Sequence, residues 1–109
     1  MPDERGHPDV TEMRLSVLFA ALADPVRRGV IDQLVAGEEG VRRMCGSLNP
    51  GLSKSTMTHH WRVLREAGLI RQVDLGNRSE IVLRAAELRE RFPGLLELLA
   101  NDVRPVQPV

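Results

Sequence analysis

The most informative stretch of this chain is SKSTMTHHWRVLREAG, residues 53–68. It opens with a serine that can cap a helix and closes with a glycine that can end one, so the pattern predicts a single helix over this stretch. At about 100° per residue, Met57, Trp61 and Leu64 fall on one side of that helix, with Ala67 beside them. Small hydroxyls, an imidazole and guanidinium groups fall on the opposite side. The helix is therefore predicted to be strongly amphipathic.

The outward side chains are of types that suit a DNA groove. An arginine can donate two hydrogen bonds to guanine O6 and N7, hydroxyls reach phosphates or base edges, and a helix fits the major groove. The first turn can also meet phosphate at the positive end of the helix dipole. The competing interpretation is an ordinary surface helix with solvated charges. On the DNA-binding hypothesis the candidate contacts are Lys54, Ser55, Thr58, His59, Arg62 and, at the margin, Arg65.

The residues that follow change from helical to strand periodicity. Two short strands are predicted at 70–75 and 80–84, around Gly76-Asn77, whose residues tolerate a positive φ in a hairpin turn. Arg78 lies at the tip of this hairpin, so Asn77 and Arg78 are added to the candidate DNA contacts. From residue 53 to residue 84 there are six lysines or arginines against three acidic residues. The positive charge is thus concentrated where DNA would bind, although the whole chain has no net charge.

Upstream, apolar spacing predicts three further helices. Thr11 can cap the first, which carries an apolar stripe, and Asp24-Pro25 is a typical start for the second. A short third helix is predicted over 41–48, and Asn49-Pro50-Gly51 forms the turn before the helix of residues 53–67. The stripe of the first helix comprises Leu15, Leu18, Phe19 and Leu22, and the inward side of the third comprises Val41, Met44, Cys45 and Leu48.

The chain returns to helix over 85–101, with Pro93 interrupting it. The predicted order is α-α-α-α-β-β-α, a mainly α fold with a small β-hairpin, which is the arrangement of a winged helix-turn-helix. Residues 11–101 form this one domain. Residues 1–10 are predicted to be a flexible arm and residues 102–109 a flexible tail, because both segments are rich in proline or charge.

The composition narrows the function classes. A lone Cys45 forms no intramolecular disulfide, no apolar run reaches membrane-spanning length, and the acidic start does not resemble a signal peptide, so a cytoplasmic protein is expected. An enzyme is disfavoured because the chain has no tyrosine, no Gly-rich phosphate loop and no plausible nucleophile–base–acid set. His60 falls on the inward side of its helix, which favours a structural histidine.

Two motifs resemble the ArsR-type family of transcriptional regulators. Residues 21–27, ALADPVR, are similar to that family's ALADPxR motif. Residues 55–70, STMTHHWRVLREAGLI, are similar to its STVSxHLxVLREAGLV recognition helix. The similarity continues through the hairpin to Arg84 and covers about two-thirds of the chain. It implies a repressor released by some signal, with Thr58, His59 and Arg62 at positions that face DNA.

The resemblance also implies a homodimer joined through the first and last helices, with two recognition helices in successive major grooves. The last helix carries more leucines than a single buried stripe needs, which favours such an interface, with ordinary core filling as the alternative. The candidate interface residues are Leu15, Leu18, Phe19, Leu95, Leu98 and Leu99.

Departures from the family concern the sensing of metals. Metal-sensing members carry a Cys-x-Cys box on the third helix, or paired His and Asp residues on the last, whereas this chain has a single cysteine and no histidine in the last helix. Since a transition-metal site needs about four ligands, no metal or other cofactor is expected. Cys45 is interpreted as a buried apolar residue, with a redox sensor as the alternative.

The sequence therefore leads to a homodimeric regulator that binds double-stranded DNA. The alternative is a protein-interaction module that uses the winged scaffold without binding DNA, which the zero net charge and the apolar last helix favour. The identity of any small-molecule or redox effector does not follow from these residues.

Overall fold

Helix 53–67 and the hairpin after it are the elements around which the rest of the fold is arranged. A computed structural model describes residues 1–102, over which the chain forms five α-helices and one antiparallel sheet. The helices are α1 Leu15–Leu22, α2 Pro25–Ala36, α3 Lys54–Ala67, α4 Ala85–Arg91 and α5 Leu95–Asp102, and the strands are β1 Arg43–Met44, β2 Ile70–Asp74 and β3 Ser79–Leu83. The predicted fold class, a mainly α winged helix-turn-helix, is confirmed.

The ends of α2 and α3 are set by the residues that the sequence indicated. Asp24 Oδ1 accepts hydrogen bonds from the amides of Val26 and Arg27 at 2.8 and 3.1 Å, directly before Pro25. Ser53 Oγ accepts from the Thr56 amide at 3.2 Å. Gly68 ends α3 with a φ of +94°, a backbone conformation that residues other than glycine rarely adopt.

The core is formed by the inward side of α3 packed against α1, α2 and the sheet. Leu18, Ile31, Leu64, Ile70 and Ile81 are each fully buried there. Among residues 1–102, no helix has the length and apolar character required to cross a membrane.

The helix predicted over 41–48 is wrong. Arg43 and Met44 instead form β1, which pairs with Ile81 and Glu80 of β3, and a 3-10 turn follows over Cys45–Leu48. Because β2 occupies only one edge of β3, β1 gives hydrogen-bond partners to the other edge. Of the four residues predicted to face inward, only Leu48 is fully buried; Cys45 is half-buried, and Val41 and Met44 are exposed.

The first thirteen residues also differ from expectation. Residues 1–10 were predicted to be a flexible arm, but residues 3–13, here called the N-terminal strap, lie along the ends of α3 and the sheet. Three arginine side chains far along the chain donate hydrogen bonds to strap carbonyl oxygens, and this is the physical reason that the segment is held. These bonds run from Arg65 Nε to Arg5 O at 2.6 Å, from Arg84 Nη1 to Pro8 O at 2.8 Å and from Arg91 Nε to Met13 O at 3.2 Å.

Other element boundaries shift slightly. A 3-10 turn over Val10–Glu12 precedes α1, which begins at Leu15 rather than after Thr11. The final helical segment is divided at Pro93 and Gly94, as the proline indicated. Asp102, assigned to the tail, ends α5 and accepts a hydrogen bond from Arg28 Nη2 at 2.9 Å. The rest of the predicted tail, residues 103–109, lies outside the described residues.

Candidate nucleic-acid interface

α3 has the two sides that its sequence predicted. Met57, Trp61, Leu64 and Ala67 are buried in the core. On the other side, the predicted contacts are exposed, and they are Lys54, Ser55, Thr58, His59 and Arg62. The helix therefore presents a continuous row of hydroxyl, imidazole and cationic groups to solvent.

Neighbouring side chains on this outer side are ordered by local contacts. Thr58 Oγ1 donates to the Lys54 carbonyl oxygen at 2.8 Å, which leaves its oxygen lone pairs as outward acceptors. Arg62 Nη2 lies 3.4 Å from His59 Nδ1. The arginine and histidine thus form a side-by-side pair at the middle of the exposed row, where a groove-binding helix places its base contacts.

The hairpin forms a wing beside this helix. Its turn is closed by a hydrogen bond from the Leu75 amide to the Arg78 carbonyl oxygen at 2.8 Å, and Gly76 has a φ of +85°. Asn77 and Arg78 are exposed at the tip, as predicted. Arg78 Nε lies 3.7 Å from Glu80 Oε2, and so long a contact from an exposed guanidinium leaves it available to a stronger anion.

A groove of about 560 Å³ separates α3 from the wing. Lys54 and Thr58 line one wall, and Asn77 and Arg78 line the other. We call this space the helix–wing groove. It joins two of the candidate sites into one concave surface, in which Lys54 and Arg78 can contact a sugar–phosphate backbone.

One acidic residue also lines the helix–wing groove. Asp74, at the end of β2, accepts a hydrogen bond from the Ser79 hydroxyl and forms an ion pair with Arg5 of the strap. Ser79 first and Arg5 second hold the pKa of the Asp74 carboxyl below its usual range. Arg5 and Asp74 were not among the predicted site residues, because no local sequence pattern indicates that residues 69 positions apart are in contact.

Arg65 is not available in the role predicted for it. Its guanidinium donates to Arg5 O and, at 2.5 Å, to Gln72 Oε1, so it joins α3 to the strap and to β2. Burial is the main reason that its pKa lies below the usual range. From its position in the helix, Arg65 was predicted to lie at the margin of the outward side. The prediction did not include the strap, whose Arg5 carbonyl oxygen accepts a hydrogen bond from the Arg65 guanidinium.

His60 is buried and Cys45 is half-buried. Arg27 Nη1 lies 3.3 Å from His60 Nδ1, while Arg27 Nε donates to the Ala21 carbonyl oxygen at 2.8 Å. His60 thereby connects α3 to the ALADPVR segment, a structural contact of the kind predicted. Burial raises the pKa of the Cys45 thiol to about 11, so little reactive thiolate is present at neutral pH. Among residues 1–102, no three His, Cys, Asp or Glu side chains cluster as metal ligands.

The six predicted interface residues separate into two groups. Leu18, Leu95 and Leu99 are buried in the core of the protomer, so they present no surface to a second copy. The reason is that α1 buries part of its apolar side against α2 and α3, and α5 buries part of its own against α2 and α4. The exposed members are Leu15, Phe19 and Leu98, with 41, 54 and 69% of their surface accessible.

An exposed amphipathic helix, a preceding turn and an adjacent wing define a winged helix-turn-helix protein. A helix-turn-helix domain family matches residues 22–73, from the end of α1 into β2. No curated protein is similar enough in sequence to count as a match. A solved ArsR-family transcriptional regulator is 26% identical, with a TM-score of 0.60 and coverage of 81% of this chain and 84% of that chain.

More distant solved structures share the fold. HlyU from Vibrio cholerae is 23% identical, with a TM-score of 0.62 over 81% of this chain and 89% of its own. The transcriptional repressor BigR from Xylella fastidiosa is 22% identical, with a TM-score of 0.61 over 84 and 87%. The chain is thus a winged helix-turn-helix protein that is similar to an ArsR-family transcriptional regulator, and the resemblance drawn from its motifs is confirmed.

Proposed function

We propose that the protein is a homodimeric repressor that binds specific sites on double-stranded DNA in the cytoplasm. The outer side of α3 is the observation that carries the proposal. It combines exposed hydroxyl, imidazole and guanidinium groups with a rigid, fully packed inner side. A helix of this kind can be inserted into the major groove without moving any core residue.

Different residues perform different parts of this binding. His59 and Arg62, in the middle of α3, contact base edges. Lys54 in its first turn and Arg78 at the wing tip contact phosphates, with the backbone passing through the helix–wing groove. Phosphate contacts supply affinity and orientation, whereas base contacts supply sequence preference.

The exposed apolar side chains support a dimer. Leu15 and Phe19, four positions apart on one side of α1, and Leu98 of α5 remain accessible to solvent in a single protomer, and exposed apolar patches are typical of interaction surfaces. In the proposed dimer they are covered by a second copy, and the two α3 helices lie about one duplex turn, roughly 34 Å, apart. Residues 11–101 thus combine DNA binding and dimerisation in one domain. A dimer of this size lying across a promoter blocks access to it, which is the basis for proposing repression.

A gel-shift titration with the DNA upstream of the protein's own gene tests this function. We expect a discrete complex that resists competitor DNA of unrelated sequence and weakens steeply as salt is raised, because bound phosphates release counterions. Light scattering on the free protein should give the mass of two chains. A monomer that retains no DNA even at low salt would contradict the proposal and favour the protein-interaction alternative.

A further inference from the structure

His7 attaches the N-terminal strap to the edge of the sheet. β2 is an edge strand, and His7 Nε2 accepts a hydrogen bond from the Gln72 amide of that strand at 3.0 Å. The other ring nitrogen, Nδ1, lies 2.9 Å from Asp3 Oδ2. Because an amide N–H can only donate, Nε2 must be unprotonated, so Nδ1 carries the proton and donates it to Asp3. The docked strap therefore requires a neutral imidazole in one tautomer.

The strap brings a positive charge to the helix–wing groove. Arg5, two residues before His7, forms its ion pair with Asp74, and Arg65 of α3 donates to the Arg5 carbonyl oxygen. Asp74 lines the groove together with Lys54 and Arg78. A DNA phosphate entering the groove would be repelled by an isolated Asp74 carboxylate, and the guanidinium of Arg5 offsets that repulsion.

We propose that His7 is a positioning residue for DNA binding, whose neutral ring holds the strap on β2 and keeps Arg5 beside Asp74, and whose protonation weakens the docking of the strap at β2 and lowers affinity for DNA. This inference rests on the proposed function, since it concerns the same groove. It adds a contribution from a segment outside the helices and the wing.

The charges around the ring set the direction of the effect. The groups that face it are Asp3 of the strap, Arg65 of α3 and Arg71 of β2. Burial lowers the pKa of His7 from its usual 6.5; Asp3 opposes this change, and the positive charges of Arg71 and Arg65 add to it. Because the docked ring binds a proton less readily than the free ring, docking has its full strength above pH 6.5 and weakens as the pH falls below that value.

The other charged side chains that contact the strap do not replace the His7 contact. Glu66 of α3 packs against Gly6, and Arg84, which is paired with Glu87, donates to the Pro8 carbonyl oxygen. Within residues 1–102, Arg5 Nε is the one buried side-chain nitrogen or oxygen without a hydrogen-bond partner. An unpaired buried donor opposes docking of this part of the strap, so the segment around Arg5 depends on the His7 contact more than a fully hydrogen-bonded segment would.

The docking step is tested without DNA, by nitrogen-15 NMR of the full-length protein. At neutral pH we expect His7 in the Nδ1–H tautomer and slow solvent exchange of the Gln72 amide. Both signatures should be lost together as the pH is lowered from 6.5. A neutral Nε2–H tautomer, or a Gln72 amide that exchanges freely at neutral pH, would overturn the docking model whether or not the protein binds DNA.

The effect on DNA is tested with a mixed-sequence duplex, because the groove contacts the backbone. His7→Gln is the matched variant, because its side-chain oxygen can accept a hydrogen bond from the Gln72 amide and does not titrate. Slow solvent exchange of the Gln72 amide in this variant checks that the strap remains docked. Since exposed ion pairs have modest strength, we expect wild-type affinity to fall about fivefold more than that of His7→Gln on acidification. His59 is present in both proteins, so the comparison removes its contribution.

His7→Ala and Arg5→Ala should each weaken binding by a similar factor at neutral pH, and the double variant should be no weaker than either. Arg5→Ala leaves the His7 contact in place and therefore tests the same step if His7→Ala folds poorly. Superimposable pH profiles for wild type and His7→Gln, or full affinity for Arg5→Ala, would overturn the positioning role.

Discussion

Arg65 Nε donates a hydrogen bond of 2.6 Å to the main-chain oxygen of Arg5, sixty positions earlier in the chain. This bond connects the last turn of α3 to the N-terminal strap. It places one arginine of the helix in the interior network, while Arg62, three residues earlier, remains exposed to solvent. The two arginines therefore have different expected functions, although both belong to the outward pattern of the sequence.

Arg65→Ala is expected to lower stability rather than sequence preference. The change removes hydrogen bonds to Arg5 O and Gln72 Oε1 and leaves those acceptors partly buried, at a cost of about 1–2 kcal/mol in the free energy of unfolding. Urea denaturation measures this loss. The ratio of operator to non-specific affinity should stay close to that of wild type, and a selective loss of operator binding would return Arg65 to the DNA-contacting set.

Arg62→Ala and Arg78→Ala are expected to have contrasting effects on DNA binding. Without Arg62 the protein should lose about 1–3 kcal/mol of discrimination between its operator and unrelated DNA. Without Arg78, affinity for every duplex should fall, and the slope of log affinity against log salt should decrease by about one phosphate contact. Titrations of both variants against both DNAs at several salt concentrations measure the two quantities. Identical, sequence-independent losses would contradict the assignment of Arg62 to base contacts.

Leu98→Glu is expected to dissociate the proposed dimer. The substitution places a charge in the surface that two copies would bury, and loss of a central contact should raise the dimer dissociation constant by at least about tenfold. Val41→Glu is the matched control, because Val41 is also an exposed apolar residue but lies outside α1 and α5. Sedimentation analysis at several concentrations provides the measurement. Equal dissociation by both variants would show that the exposed side of α5 has no special role.

Asp24→Asn is expected to make the stability of the protein less dependent on pH in the acidic range. Hydrogen bonds from the Arg27 and Val26 amides hold the pKa of the Asp24 carboxyl below its usual 3.8, so its stabilising effect is present above that pH and is lost as the pH falls through the lowered value. Asparagine caps the helix without titrating in this range. Thermal melts at neutral pH should differ little between the two proteins, and the wild-type melting temperature should fall more steeply in acid. Parallel curves would show that the cap does not act through its charge.

Local patterns were sufficient for the elements that are proposed to contact DNA. The caps at Asp24 and Ser53, the inner side of α3 and the turn at Gly76 all depend on residues within a few positions of one another. β1 and the strap could not be predicted in this way. Arg43 pairs with Ile81, and His7 contacts Gln72 sixty-five positions away. Such contacts form only once the sheet is assembled. The apolar spacing of residues 41–48 fits a helix, but the free edge of β3 pairs with Arg43 and Met44 as a strand instead.

The leucines illustrate the same division. The spacing of Leu95, Leu98 and Leu99 shows that α5 is apolar, but only its packing against α2 and α4 determines which side chains remain exposed. Two of them complete the protomer core, and Leu98 alone of the three is accessible. Composition predicts that a helix has more apolar residues than one buried stripe requires. Which of these residues stay exposed depends on the tertiary structure.

The most direct test of the account is a dimethyl sulfate footprint of the protein on its operator, because this reagent reports on guanine N7 in the major groove, where α3 is proposed to bind. The account predicts two protected segments with centres about one duplex turn, or about 10 base pairs, apart, both lost with Arg62→Ala. Protection of a single segment, or none on DNA that the protein demonstrably binds, would contradict a dimer that inserts two α3 helices into successive major grooves.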